Sequence, residues 1–304
     1  MRNESKITFC SCLPDSSAGR NRGFIMAHGF SIERVLLIVF LVVLVVSIIL
    51  PSIPNRPHRY AFVVKQKAHF KSIDAGIELF NTEFDDYPPS DARDEEGIPY
   101  CGAMKLSEAV MGRDLLGYHP ESVFRSDGTD GKGKVLYPGF YRSGTSTRKG
   151  PYLPLESANA YTLAELYGDG NTGPFEPNHF VLCDVFRKVK HIKTGKKIGL
   201  PILYYKADTS KTAHDVNDPD NPENIYNYKD NHALVGLGVP GKLGRKHPLY
   251  ENPKIFYEMT RDYDFGETSK PQRADTFILL SAGHDGLYGT EDDITNFDMK
   301  WEPQ

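Results

Sequence analysis

From Val35 to Leu50 the chain reads VLLIVFLVVLVVSIIL, apolar at every position but Ser47, with no polar face to mark a helix lying against a core. Such a run predicts a membrane helix. At 1.5 Å per residue it spans about 24 Å, and it approaches a hydrocarbon core of about 30 Å if the helix reaches back through Ile32 and Phe30. The alternatives are the apolar part of a secretory signal or a helix buried in a core. No small-x-small cleavage site follows Leu50, which argues against the first. Pro51, Pro54 and Pro57 then interrupt the chain and predict a break over 51–57. Beyond them Phe62, Val63, Phe70, Ile73, Ile77, Leu79 and Phe80 return at intervals near three and four, the signature of an amphipathic helix. Asp85-Asp86-Tyr87-Pro88-Pro89 stops it, because residues before proline avoid the helical region.

Further on the period shortens. A helix is predicted over Lys105 to Leu116, closed by Gly117, and the glycine- and charge-rich stretches 126–134, 144–150 and 169–173 read as loops. HFVLCDVF (179–186) and GLPILYYKAD (199–208) read as strands, joined by the basic RKVKHIKTGKK (187–197), which reads as a hairpin with a solvated tip, the alternative being a phosphate or nucleic-acid patch. The Asn-, Asp- and Pro-rich stretch 210–236 reads as a long insertion loop, and DTFILLS (275–281) as a last strand. The predicted fold is α+β. A long N-terminal helix, half membrane and half amphipathic, packs on a small antiparallel β-sheet that carries long loop insertions. The boundaries are a membrane helix at 30–53, a stem helix at 54–86 and a globular domain at 87–304.

Charge and composition add exclusions. With a net charge of -4 and 39% apolar residues, the chain can fill a core but has no overall basic field, so nucleic acid is not an expected partner. Arg2, Lys6, Arg20 and Arg22 precede the apolar run and Arg56, Arg59, Lys65 and Lys67 follow it, so loop charge does not orient it. Cys101 and Cys183 can bridge if the domain lies in an oxidising compartment, or remain two unrelated thiols. Cys10-Ser-Cys12 lacks metal-site spacing. Glu33, at the mouth of the apolar run, calls for a partner, either Arg34 or a cation from another subunit. Otherwise it is a first-turn acid favoured by the helix dipole.

The acids of SAGHDGLYGTEDDITNF (281–297) are the main chemical signal. Asp285, Asp292 and Asp293 in one glycine-rich turn repel one another unless a cation compensates them. Calcium takes six to eight oxygens and tolerates the irregular geometry of a loop, whereas zinc would want His or Cys and only His284 is at hand. The spacing is not that of an EF-hand. The alternative is a solvated acidic turn without an ion. His284 beside Asp285 suggests a general base, but no nucleophile motif accompanies it, so no enzymatic activity is expected.

Several of these features together resemble one family. A basic leader ending in Gly29, then Phe30, a small polar residue, an acid and an apolar helix is similar to the class III signal of type IV pilins and type II secretion pseudopilins. The stem helix ending in Tyr87-Pro88, the pair Asp184 and Phe186 leading to Gly199, Pro201 and Tyr204, and the C-terminal acidic loop resemble the same family. The resemblance implies a leader at 1–29, cleavage by a prepilin peptidase between Gly29 and Phe30, and methylation of Phe30. Glu33 would set register during assembly, although counting Phe30 as the first mature residue makes it the fourth, where the family has its acid fifth. A calcium loop at 280–297 is implied, with Asp285, Asp292 and Asp293 as carboxylate ligands, Ser281 as a hydroxyl ligand and the carbonyls of Leu280 and Thr290 completing the shell. The implied function is a structural subunit of a secretion pseudopilus or related filament, anchored once in the inner membrane with its globular domain in the periplasm or outside the cell. Its partners would be copies of itself, minor subunits, the inner-membrane secretion platform and membrane lipid. The alternatives are a membrane-anchored binding module and a membrane-anchored hydrolase.

Overall fold

A computed structural model describes residues 32–49, 56–138, 147–263 and 270–301. The chain divides into two units, 1–54 and 55–304. In the first, α1 (Ile32–Ile49) carries Glu33 in its first turn, and its described side chains are exposed. Among the described residues no helix is long and apolar enough to cross a membrane. The side chains of α1 are described only to Val45, and its apolar run from Val35 to there covers about 17 Å. The expected leader at 1–29, the cleavage pair Gly29 and Phe30, and both ends of the expected membrane helix lie outside the described residues.

The second unit begins with α2 (Arg56–Phe84), and Pro57 is tolerated there because the first turn needs no N–H donor. Phe70, Ile73, Ile77 and Phe80 are buried on one face, as the period requires, whereas Leu79 points to solvent. Asp85, at φ 58°, ends the helix, and the chain leaving it is pinned where Tyr204 Oη donates to the Pro88 carbonyl at 2.7 Å. Next comes α3 (Gly102–Met111), buried along its whole length. It starts and stops earlier than expected because Gly112 and not Gly117 terminates it, at φ 79°, with its N–H on the Glu108 carbonyl. A Cβ on Gly112 would meet the Gly117 carbonyl at 2.0 Å, so the turn closes only with glycine there.

The remaining elements are short. They are α4 (Leu155–Ala158), β1 (Ala160–Thr162), α5 (Leu163–Tyr167) with a Thr162/Glu165 capping box, β2 (Phe180–Leu182), β3 (Val189–Lys190), β4 (Lys197–Ile198), β5 (Leu203–Lys206), α6 (Lys229–Val235), α7 (Pro248–Glu251), α8 (Lys254–Thr260), β6 (Phe277–Ser281) and β7 (Ile294–Thr295). The fold is therefore mixed helix and small antiparallel sheets. β1 pairs with β2 and β3 with β4, while β5, β6 and β7 form the central sheet with Leu203 opposite Leu280 and Leu280 opposite Thr295. The end of the expected insertion loop is α6, and α7 and α8 follow.

Successive strand residues face opposite sides, and the central sheet uses both. Tyr204, Phe277 and Leu279 pack with Phe70, Ile73 and Ile77 of α2 and with Leu106 and Val110 of α3. Leu203, Tyr205, Ile278 and Leu280 pack with Leu234 of α6 and with Phe256 and Tyr257 of α8. The segment 207–260 thus supplies the layer that covers the second face of the sheet.

Candidate functional site

β6 delivers the chain into the acidic loop at Ser281, whose strand partner is Ile294. Gly283 turns it at φ 59°, and a Cβ there would stand 1.9 Å from the Asp292 carbonyl oxygen. The two limbs therefore touch backbone to backbone, which only glycine permits.

This closure gathers the three expected carboxylates. The Asp285 N–H donates to Asp292 Oδ2 at 2.8 Å, and Asp285 Oδ1 accepts from the Leu287 N–H at 2.8 Å. Asp292 Oδ1 accepts from Thr290 Oγ1 at 3.0 Å. Asp293 is buried. Its Oδ2 accepts from the N–H of Gly289 at 2.6 Å and that of Thr290 at 3.4 Å, while its Oδ1 has no hydrogen-bond partner. Burial first, then the nearby Asp285 and Asp292 charges, hold the Asp293 carboxyl well above the usual carboxylate range. Burial and Asp292 likewise raise Asp285.

The other expected ligands are placed differently. Ser281 is buried, and its hydroxyl donates to Asp184 Oδ2 at 3.1 Å, beneath the loop. Asp184 Oδ1 also accepts from the N–H groups of Phe186 (3.0 Å) and Leu200 (3.3 Å), and burial pushes its pKa up to about 7. Gly199 lies against it so closely that a Cβ would sit 1.9 Å from the Asp184 carbonyl oxygen. Leu280 lies mid-strand between β5 and β7. The Thr290 carbonyl accepts from the Asp293 N–H at 3.2 Å.

Two residues at the loop were not singled out by sequence. Lys188, in the stretch read as a solvated hairpin, has Nζ 3.1 Å from His284 Nδ1. Burial lowers its pKa, and the carboxylates of Asp292 and Asp285 oppose that lowering. His247, from the segment before α7, accepts from the Tyr288 N–H at 3.2 Å and packs on the Tyr288 ring at 4.7 Å. The only advance signal for Lys188 was the density of lysines around it. For His247 there was none.

Cys101 and Cys183 are separate buried thiols and form no bridge. Burial pushes the Cys101 thiol up to about 12, so it stays protonated and inert. His284 and Asp285 do not pair as a dyad, since the ring meets Lys188 and the carboxylate meets the Leu287 N–H.

Among the described residues no group of three or more His, Cys, Asp or Glu side chains is arranged to hold a metal ion. The carboxylates of the loop are instead turned onto its own N–H groups. The chemistry of the donor set still fits a hard cation. The loop's carboxylates and carbonyls are oxygen donors, two of its carboxyls are raised by burial and then by neighbouring carboxylates, and one buried oxygen has no partner. Searches against family models, curated proteins and solved structures found no match to this chain.

Proposed function

We propose that this chain is a structural subunit of a type II secretion pseudopilus or a related type IV pilin-like filament, held in its assembled form by calcium. The observation that carries the reading is the partnerless Asp293 Oδ1, buried beside Asp285 and Asp292 in a loop that glycine closes against itself. A buried carboxylate oxygen left unpaired costs on the order of 1–3 kcal/mol, and a cation relieves that cost and the repulsion of its neighbours together. Asp285, Asp292 and Asp293, with the Thr290 carbonyl, would hold the ion, which supplies charge compensation and no reaction chemistry. Ser281 serves this site indirectly by fixing Asp184 under the loop.

The remaining roles follow from the same reading. The apolar segment with α1 stores the subunit in the inner membrane. Cleavage between Gly29 and Phe30 frees the mature end, and Glu33 in the first turn of α1 meets the amine of a neighbouring copy. Transfer into a helical bundle then buries the apolar surface.

The test is thermal unfolding of the full chain with calcium and with chelator. Ligation at about a hundred times Kd stabilises by about 2.7 kcal/mol, which raises the Tm by about 5–10 °C for a domain of this size. Asp293→Ala should abolish the shift. A Tm indifferent to calcium, together with an N-terminus other than Phe30 in mass spectra of material from the native host, would refute the reading.

A further inference from the structure

One end of the folded unit is strongly basic, and the fold maintains that end at an electrostatic cost. In the β3–β4 hairpin Lys190 stands directly opposite Lys197, a like-charge cross-strand pair that destabilises a hairpin on its own. Lys193 and Lys196 flank the tip with them, and none of the four is in an ion pair with a described residue. The exposed loop 241–246 adds Lys242, Arg245 and Lys246. Both projections also carry an apolar side chain out to solvent, Ile192 at the hairpin tip and Leu243, which is fully exposed.

The two projections belong to one face. Lys188 at the base of the hairpin meets His284, and His247 at the base of the loop meets Tyr288, four residues further along the same acidic turn. Phe62, in the second turn of α2, packs on Phe186 with ring centroids 6.1 Å apart, and Phe186 meets the His284 ring at 6.5 Å. The face therefore lies at the N-terminal end of α2, where the chain arrives from the apolar unit. Asp285 and Asp292 oppose the lowering of Lys188 at the base of the hairpin, and Glu165 pairs with His191 within it. The far end of α2 has the opposite character. A cleft of about 590 Å³ there is lined by Asp85, Asp86, Asp91, Asp208 and Asp275, with Lys206 and Lys211.

We infer that the face formed by the 187–197 hairpin and the 241–246 loop docks on the anionic phospholipid headgroups of the bilayer, its lysines over the phosphates and Ile192 and Leu243 dipping into the interface. Basic side chains near an anionic leaflet each strengthen binding about fivefold, and exposed apolar tips add to this. The inference rests on reading α1 as a membrane anchor, because the chain enters the folded unit at the end of α2 that carries the basic face and not at the end beside the acidic cleft.

The test uses residues 55–304, which contain every buried residue of both core clusters, once a single cooperative thermal transition has shown that the fragment is folded. The fragment is titrated with vesicles containing about one-third phosphatidylglycerol and with pure phosphatidylcholine vesicles, at low salt and at about 0.5 M. The expected result is binding to the anionic vesicles alone, lost at high salt. Lys193→Gln and Lys196→Gln should each weaken it about fivefold, and Leu243→Ser should weaken it further, all with an unchanged unfolding temperature. Equal binding to both vesicle types, no binding at low salt, or lysine variants that bind like the parent would each overturn the inference. So would self-association of the fragment without vesicles that the same lysine changes abolish, since the partner would then be the acidic end of a second copy. Release of the full chain from membranes by alkaline carbonate would instead overturn the anchor reading and leave the vesicle result standing.

Discussion

Asp230 accepts from Ser90 Oγ, which itself accepts from the Lys206 N–H at 3.0 Å, and burial pushes the Asp230 pKa up to about 8. Because the folded carboxyl keeps a proton that the unfolded chain gives up near pH 4, stability from this residue is present below about pH 4 and is lost as pH rises toward 8. Asp230→Asn keeps the hydrogen bond and removes the titration. The variant should gain about 1–3 kcal/mol over the parent at pH 9 and nothing at pH 4, read from denaturant unfolding at both. Sequence gave no hint of this residue, which stands in a polar stretch with every mark of a loop. The acids of the terminal turn were legible because three of them crowd a few glycines. The role of Ser281 was not, because its partner Asp184 is distant in sequence and only the fold brings the two together.

Periodicity made α2 and the strands at 180–182, 203–206 and 277–281 readable, since one buried face leaves a pattern in the chain. It failed for α6, whose residues Asp230, Asn231, Leu234 and Val235 are buried although the first two are polar. Asn231 explains why polarity persists there. Its Oδ1 accepts from the Ala103 N–H at 2.9 Å and its Nδ2 donates to the Tyr204 carbonyl at 2.7 Å, so one side chain joins α6 to the start of α3 and to β5. Gly102 lets α3 come that close, for a Cβ there would lie 2.3 Å from the Tyr204 carbonyl oxygen. Asn231→Ala leaves two buried backbone groups unpaired and should cost about 2–4 kcal/mol in chemical denaturation. A cost below about 0.5 kcal/mol would show that α6 is an accessory and not a structural layer.

At the scale of the whole unit, the long segment 207–260 is part of the core and not an appendage. That could not be read in the chain, because a layer built of short helices and isolated aromatic residues has no period. Four of the unit's buried histidines, His69, His179, His214 and His247, are lowered to about 4 by burial. The unfolded chain protonates these rings near pH 6.5, so their contribution is present above that value and lost as pH falls toward 4. Asp184 and Asp230 act in the opposite sense as pH rises toward 7 and 8. Thermal stability measured across pH should therefore peak between about 6 and 7 and fall on both sides, more steeply on the acid side. The two core cysteines carry one last implication. Since neither thiol waits for an oxidant, this unit can reach its native state equally in a reducing cytosol and in an oxidising space. Neither dithiothreitol during synthesis nor the loss of a cell's disulfide-forming enzymes should lower its yield.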